Sequence, residues 1–312
     1  MFTATFFLSS GRCGTQWLHK NLKAKYNKLA VVKHEPIFDD YLPRKMLNCC
    51  DTKNLPPTSK LISHADWIET VLKEKNYNTL CISSQCGCPV DCKFCLTGVV
   101  GFKRQLTASE IVKQVVYAFS INQPITNIVF MGMGEPLLNA DQVFKAIDML
   151  THPKLYNISK RNITVSTSGF IKGIEYLKKH DRVVNLAFSV GSADPIKRER
   201  IMPVEKRNPI VDFVKVLKEY QSQHNRKLTL EYTLLEGVND TDYDIKSLIN
   251  LAKYLNAKIN LINLNPHKKI PYKPVSIDKI HAIQSVIKKQ KCAVTIRYKK
   301  GQDITAACGS QG

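Results

Sequence analysis

The residues with the clearest chemistry are Cys88, Cys92 and Cys95, in the run Gly87-Cys88-Pro89-Val90-Asp91-Cys92-Lys93-Phe94-Cys95. Three thiolates at C-x3-C-x2-C spacing can hold a metal centre and leave it one protein ligand short. A structural zinc or an electron-transfer cluster normally takes four protein ligands, whereas an iron-sulfur cube on three keeps one iron open to an exogenous molecule. The spacing therefore suggests an open cluster. Of the 10 cysteines, five fall between Cys81 and Cys95, which points to metal binding or catalysis and away from a disulfide scaffold. The start, Met1 to Leu8, has no basic leading segment and reads as a strand, so the expected compartment is the reducing cytoplasm.

Such residues need a frame that gathers distant segments. From residue 79 onward, short β-branched runs alternate with amphipathic segments, the pattern of successive βα units and a parallel sheet. Strands are expected near 79–84, 126–131, 162–167, 183–189, 228–235, 258–264 and 292–298, with helices between. Thr107-Ala108-Ser109-Glu110 opens one helix, because the Thr hydroxyl and the Glu three residues on can cap each other's amides. Special residues then fall at or just beyond strand C-termini: Gly134-Glu135-Pro136, Ser166, Ser189, Asn239 and Asn265, joined by Cys88, Cys92, Cys95 and Cys308 after the first and last strands. In a parallel barrel these ends share the face that carries the site. The expected fold class is α/β, a partial (β/α)6-type parallel barrel over residues 61–312 with a short N-terminal α/β extension over residues 1–60. That extension reads as a strand, the Gly-bearing loop Ser9 to Thr15, a helix from about Gln16 and a strand from Leu29 to Val32. A Pro-bearing linker, Asn54 to Ser59, follows it.

The chain has 312 residues, 44% hydrophobic and 23% charged, which fits a soluble globular protein, and no apolar run approaches the roughly 20 residues that span a bilayer. Lys and Arg total 46 against 26 Asp and Glu, a net charge of +20 that favours a polyanion over a neutral metabolite. Nucleic acid is the natural candidate. The basic residues recur as pairs: Lys103-Arg104, Lys160-Arg161, Lys197-Arg198, Lys206-Arg207, Lys268-Lys269 and Lys299-Lys300. Any one pair reads equally as solvated surface charge, and only their sum argues for a polyanion.

The cluster motif, with an aromatic before its last cysteine, resembles that of the radical S-adenosylmethionine superfamily. Within it, the stretch Thr79 to Cys88, the run Met131-Gly132-Met133-Gly134-Glu135-Pro136-Leu137-Leu138-Asn139 and the ending Asp303 to Gly309 are similar to the RlmN/Cfr family of rRNA adenine methyltransferases. The likeness covers roughly residues 66–312 with the segments in family order. It implies a [4Fe-4S] cluster on Cys88, Cys92 and Cys95 and two S-adenosylmethionine molecules per turnover. Cys308 would first be methylated, and Cys81 would resolve a transient RNA-protein adduct by attacking the Cys308 sulfur. Glu69 matches the family's proton acceptor. Gly134, Glu135, Ser166, Ser189, Val190, Gly191 and Asn265 match its cofactor contacts, with Glu135 accepting from the cofactor's ammonium. For Ser166 and Ser189, capping of strand ends is an equal reading. The implied acceptor is an adenine carbon, C2 in preference to C8, in 23S rRNA and also in tRNA. A flavodoxin or ferredoxin would be the electron donor, with no membrane partner and a monomeric chain.

Two departures stand out. Where the family has Ser-Leu-His, this chain has Ser189-Val190-Gly191, and the family's RNA-binding accessory domain is not recognisable in residues 1–60. Instead, Phe6 to Leu18 looks like the phosphosulfate loop that opens sulfotransferases, a Gly-bearing turn feeding a helix N-terminus. A segment of that length reads as a cap or RNA contact. Two rival readings remain: the same chemistry on a smaller or non-ribosomal acceptor, and a catalytically silent iron-sulfur or zinc protein that associates with RNA. The latter would need none of Cys81, Cys308 and Glu135.

Overall fold

β-branched and aromatic residues at alternate positions bury one face of each strand under helices and leave the other facing inward. The computed structural model describes residues 68–73, 78–120, 125–224, 226 and 228–297. These belong to one compact unit that begins at residue 66. The expected 1–60 extension and Cys308 lie outside the described residues, and of Glu69 the backbone alone is described. The strand β1 (Ile68–Lys73) pairs antiparallel with β2 (Asn78–Ile82). The two-residue strands β3 (Gln85–Cys86) and β4 (Arg104–Gln105) pair only with each other. Then come β5 (Asn127–Phe130), β6 (Ile163–Thr167), β7 (Asn185–Ser189), β8 (Leu228–Leu234), β9 (Lys258–Asn263) and β10 (Val294–Arg297).

The eight-stranded sheet has the order β1-β2-β5-β6-β7-β8-β9-β10, and every pair from β2 onward is parallel. The seven parallel strands make a curled half-barrel, each of them close to its expected place. The antiparallel leader β1 was not expected. The crossovers carry α1 (Leu96–Val100) and α2 (Ala108–Ser120), then α3 (Ala140–Thr151), α4 (Ile171–Lys179), α5 (Pro195–Ile201) with α6 (Ile210–His224), α7 (Asp242–Tyr254) and α8 (Ile277–Lys289).

Leu80, Ile82, Val165, Phe188, Leu230 and Leu261 face these helices in the main core. Fully burying each such side chain contributes about 1.5–3 kcal/mol. Their alternates Cys81, Ser166, Ser189, Glu231 and Asn260 lie outside that cluster, on the concave face. The α2 start is the expected capping box: Thr107 N donates to Glu110 Oε2 at 2.9 Å, and Glu110 N donates to Thr107 Oγ1 at 3.3 Å. Among the described residues no helix is long and apolar enough to cross a membrane.

Candidate active site

Two short strands turn the cysteine run into a closed loop. Gln85 pairs with Gln105 and Cys86 with Arg104, Lys103 N donates to Cys86 O at 2.9 Å, and Cys88 N donates to Gly101 O at 3.2 Å. Inside the loop, Cys95 N donates to Cys92 O at 3.0 Å, and Cys95 is the N-cap of α1. Lys93 N donates to Ile201 O at 2.9 Å, which docks the loop on the end of α5. Val90, Ile201, Met202 and Leu264 form a second apolar cluster against which Cys88, Cys92 and Phe94 pack.

Cys88, Cys92 and Cys95 open on one cavity, together with Gly134, Glu135, Ser166, Ser189 and Asn265. Seven residues matched to a cofactor site were expected, and five of them line it. Val190 and Gly191 do not; Val190 is wholly buried behind the wall, where its N–H donates to Glu231 O at 3.0 Å. Burial pushes the Cys88 thiol up to about 12 and the Cys92 thiol well above its ordinary value. A metal centre held by these thiols would replace, with its positive charge, the solvation that burial removes. No three His, Cys, Asp or Glu side chains among the described residues converge closely enough to ligate a single metal ion. The three cysteines line one cavity, and a cluster that takes one thiolate per iron fits that arrangement.

Glu135 is buried at 3% exposure and ties three strand ends together. Its Oε2 accepts from Ser168 N and Oγ, both at 2.7 Å, and its Oε1 accepts from Leu137 N at 3.1 Å. Burial raises its pKa, and the Ser168 bonds oppose the rise. Donors from Ser168, Thr167 and Leu137 thus hold the carboxylate on both of its oxygens. Gln85 Oε1 accepts from Glu135 N at 2.7 Å, and Asn139 Nδ2 donates to Ser84 O at 2.9 Å, which joins this turn to the cysteine loop.

The chain matches the profile of the Radical SAM superfamily over residues 82–249. It is 35% identical over 306 residues to a probable dual-specificity RNA methyltransferase RlmN of Aquifex aeolicus, covering 94% of this chain and 88% of that one. The family is thereby decided. This chain belongs to the RlmN/Cfr family.

The likeness to the Aquifex relative covers enough of the chain to run into residues 1–60. With a probable RlmN of Akkermansia muciniphila the identity is 42% over 232 residues, 74% of this chain and 65% of that one, so the chain spans about two thirds of that relative's length. A crystal structure of a radical SAM methyltransferase from Sphaerobacter thermophilus superposes with a TM-score of 0.73 at 36% identity, covering 77% of this chain and 71% of that one.

For an RlmN/Cfr family member the Gly191 departure now has a physical reason. Gly191 sits at φ +67°, and a Cβ there would come within 2.3 Å of Met202 Sδ. A histidine would require the Met202 side chain to shift and would strain the backbone at this positive φ. Gly191 O accepts from Asn239 Nδ2 at 2.7 Å, and Asn239 also donates to Thr233 O at 2.8 Å and accepts from Leu235 N at 2.8 Å. Asn239 is thus a wholly buried structural bracket.

Sequence reasoning missed Ser168, Arg198, Glu231 and Arg297. Arg198 stood as half of a basic surface pair, but its exposure is 0%. It pairs with Glu205, donates from Nε to Val190 O at 2.9 Å and from Nη2 to Ser168 O at 2.5 Å, and lies 5.7 Å from the Phe188 ring centre. Its neighbour Lys197 pairs with the buried Asp244 at 2.8 Å. That pair therefore holds strand ends in place and is not available to a polyanion. Its only sequence signal was the Glu205 seven residues on.

Proposed function

We propose that the chain is a radical S-adenosylmethionine methyltransferase of an RNA adenine carbon, C2 in preference to C8, acting on 23S rRNA and on tRNA. The observation that carries this is the single cavity where three cluster thiols meet the Glu135 turn and the ends of β6, β7 and β9. Relatives named as dual-specificity RNA methyltransferases support the acceptor class. Cys88, Cys92 and Cys95 would hold a [4Fe-4S] cluster, and Glu135, Ser166, Ser189 and Asn265 would orient S-adenosylmethionine at its open iron. With an electron from a flavodoxin- or ferredoxin-type donor, the bound pair would supply a 5′-deoxyadenosyl radical.

The protein's own groups would do the rest. The Cys308 thiolate would take a methyl group from one S-adenosylmethionine, releasing S-adenosylhomocysteine, and its S-methyl would then give up a hydrogen atom to the radical that a second molecule supplies. The resulting carbon would bond to the adenine carbon, the adduct's unpaired electron would return to the cluster, and Glu69 would take the proton displaced from the ring carbon. The Cys81 thiolate would then attack the Cys308 sulfur, the sulfur-carbon bond would break with its electron pair on the carbon, and that carbon would take a proton, so that the methylated base leaves as the disulfide forms. Cys81 is 8% exposed on β2, beside Val129 of β5. Neutral adenine carbons offer no lone pair, so direct methyl transfer would not serve.

Nucleoside mass spectrometry after anaerobic reconstitution tests the reading. Wild type should yield 2-methyladenosine, Cys81→Ala should accumulate a covalent RNA adduct, and Cys308→Ala should form neither. Tight zinc without iron, or no methyladenosine from ribosomal or transfer RNA, would sink it.

A further inference from the structure

Glu231 is a second buried carboxylate on the cavity, and the chemistry above gives it nothing to do. It lies in the middle of β8 at 7% exposure. Its Oε2 accepts from Asn260 Nδ2 at 2.7 Å, and Asn260 Oδ1 accepts from Thr295 Oγ1 at 3.0 Å. Ser189, Glu231, Asn260 and Thr295 are successive Cα partners, one row across β7, β8, β9 and β10 on the concave face. The row fixes the carboxylate's rotamer. No Lys, Arg or His among the described residues forms an ion pair with it, and no donor among them reaches its Oε1. Burial raises its pKa, opposed by the more distant charge of Arg297 and by the Asn260 bond.

A rigidly held carboxylate on the cavity wall, with one oxygen that no described donor fills, is placed to accept from a ligand's N–H or O–H. Glu135 differs, since protein donors reach both of its oxygens. We propose that Glu231 is a recognition residue that accepts a hydrogen bond from an adenosine in the cavity, through an amino or ribose hydroxyl donor. Two adenosines carry such donors, that of S-adenosylmethionine and that of the acceptor RNA. The inference rests on the proposed function for the second of these only.

Glu231→Gln and Glu231→Ala are compared with wild type in the cluster-loaded full chain. Equilibrium dialysis gives S-adenosylmethionine affinity, and KM is measured for a 23S rRNA fragment carrying either adenosine or purine riboside at the target. Loss of a hydrogen bond to a charged acceptor should weaken one of the two by about 10- to 100-fold. A fall in S-adenosylmethionine affinity alone assigns the cofactor's adenosine. A rise in RNA KM that is seen with adenosine but absent with purine riboside assigns the acceptor's amino group. Gln keeps the acceptor for Asn260, and Thr295→Val, which frees Asn260 without touching a ligand, should move the same readout by a smaller factor. Unchanged affinity and KM in all variants, whatever their melting temperatures, overturn the assignment. A wild type that binds S-adenosylmethionine but leaves RNA unmethylated would refute the proposed function instead, and Glu231 would then be judged on the dialysis alone.

Discussion

Cys88 and Cys92 concentrate the electrostatic cost of the site in two buried thiols. A thiol is neutral when protonated, so a folded pKa above the unfolded one means that the metal-free fold holds that proton more tightly. The associated stability is complete below about pH 9 and is lost as the pH rises towards the Cys88 value of about 12. Denaturant unfolding of metal-free protein at pH 8, 9 and 10 should therefore show a falling stability that is shallower in Cys88→Ser, by up to about 1.4 kcal/mol per pH unit. Equal slopes in the two proteins would count against the burial of Cys88. At this scale the sequence was legible where a residue type and a spacing state the chemistry, as with the three cysteines and Glu135. It was silent on Glu231, because Leu230-Glu231-Tyr232 is an ordinary alternation until the strand's inner face is known to be the wall of a site.

The elements were legible where they kept the alternation of strand and helix. β5 to β10 follow from β-branched runs between amphipathic helices, and the capping box at Thr107 fixed the start of α2. β3 and β4 have two residues each, too few for any periodicity to register, and β1, Ile-Glu-Thr-Val-Leu-Lys, breaks the βα rhythm by pairing antiparallel. Yet β3 and β4 close the cysteine loop, and one backbone contact at their neck decides whether it closes. Gly87 lies at φ +73°, and a Cβ on it would meet Gly101 O at 1.7 Å, whereas a Cβ on Gly101 meets nothing within 4 Å. Gly87→Ala should thus cut iron incorporation on reconstitution at least tenfold while the far-ultraviolet circular dichroism of the barrel persists. Gly101→Ala carries only its own backbone strain, about 1–3 kcal/mol, and should retain more iron. Iron content in the reverse order would mean that the neck does not shape the site.

Connectivity sorts the excess charge of the whole molecule between two faces, which composition alone could not do. Residues that follow a parallel strand and precede its helix stand on the C-terminal face with the cavity, and residues between a helix and the next strand stand on the opposite face. Lys103-Arg104, Lys206-Arg207 and Lys268-Lys269 are exposed and follow β2, β7 and β9, so they rim the cavity face. Lys160-Arg161, also exposed, precedes β6 on the far face. Arg104 is partly spent on Glu110, with contacts of 2.8 and 2.9 Å, and Lys206 more loosely on Glu199 at 3.5 Å, which leaves Arg207 and the pair at 268 as the stronger candidates for phosphate. An RNA presenting a base to the cavity must lay its backbone across that rim. The double charge reversals Lys206→Glu/Arg207→Glu and Lys268→Glu/Lys269→Glu should each weaken binding of a 23S rRNA fragment roughly tenfold or more near 0.1 M salt. Each should also flatten the plot of log affinity against log salt by about 1–2, since each lost phosphate contact removes about 0.7–0.9 from the slope. Lys160→Glu/Arg161→Glu changes the net charge by the same amount on the other face, and its affinity should fall by less than threefold. If all three double variants lose affinity equally, net charge and not the cavity rim governs the encounter, and the RNA need not approach from the C-terminal face.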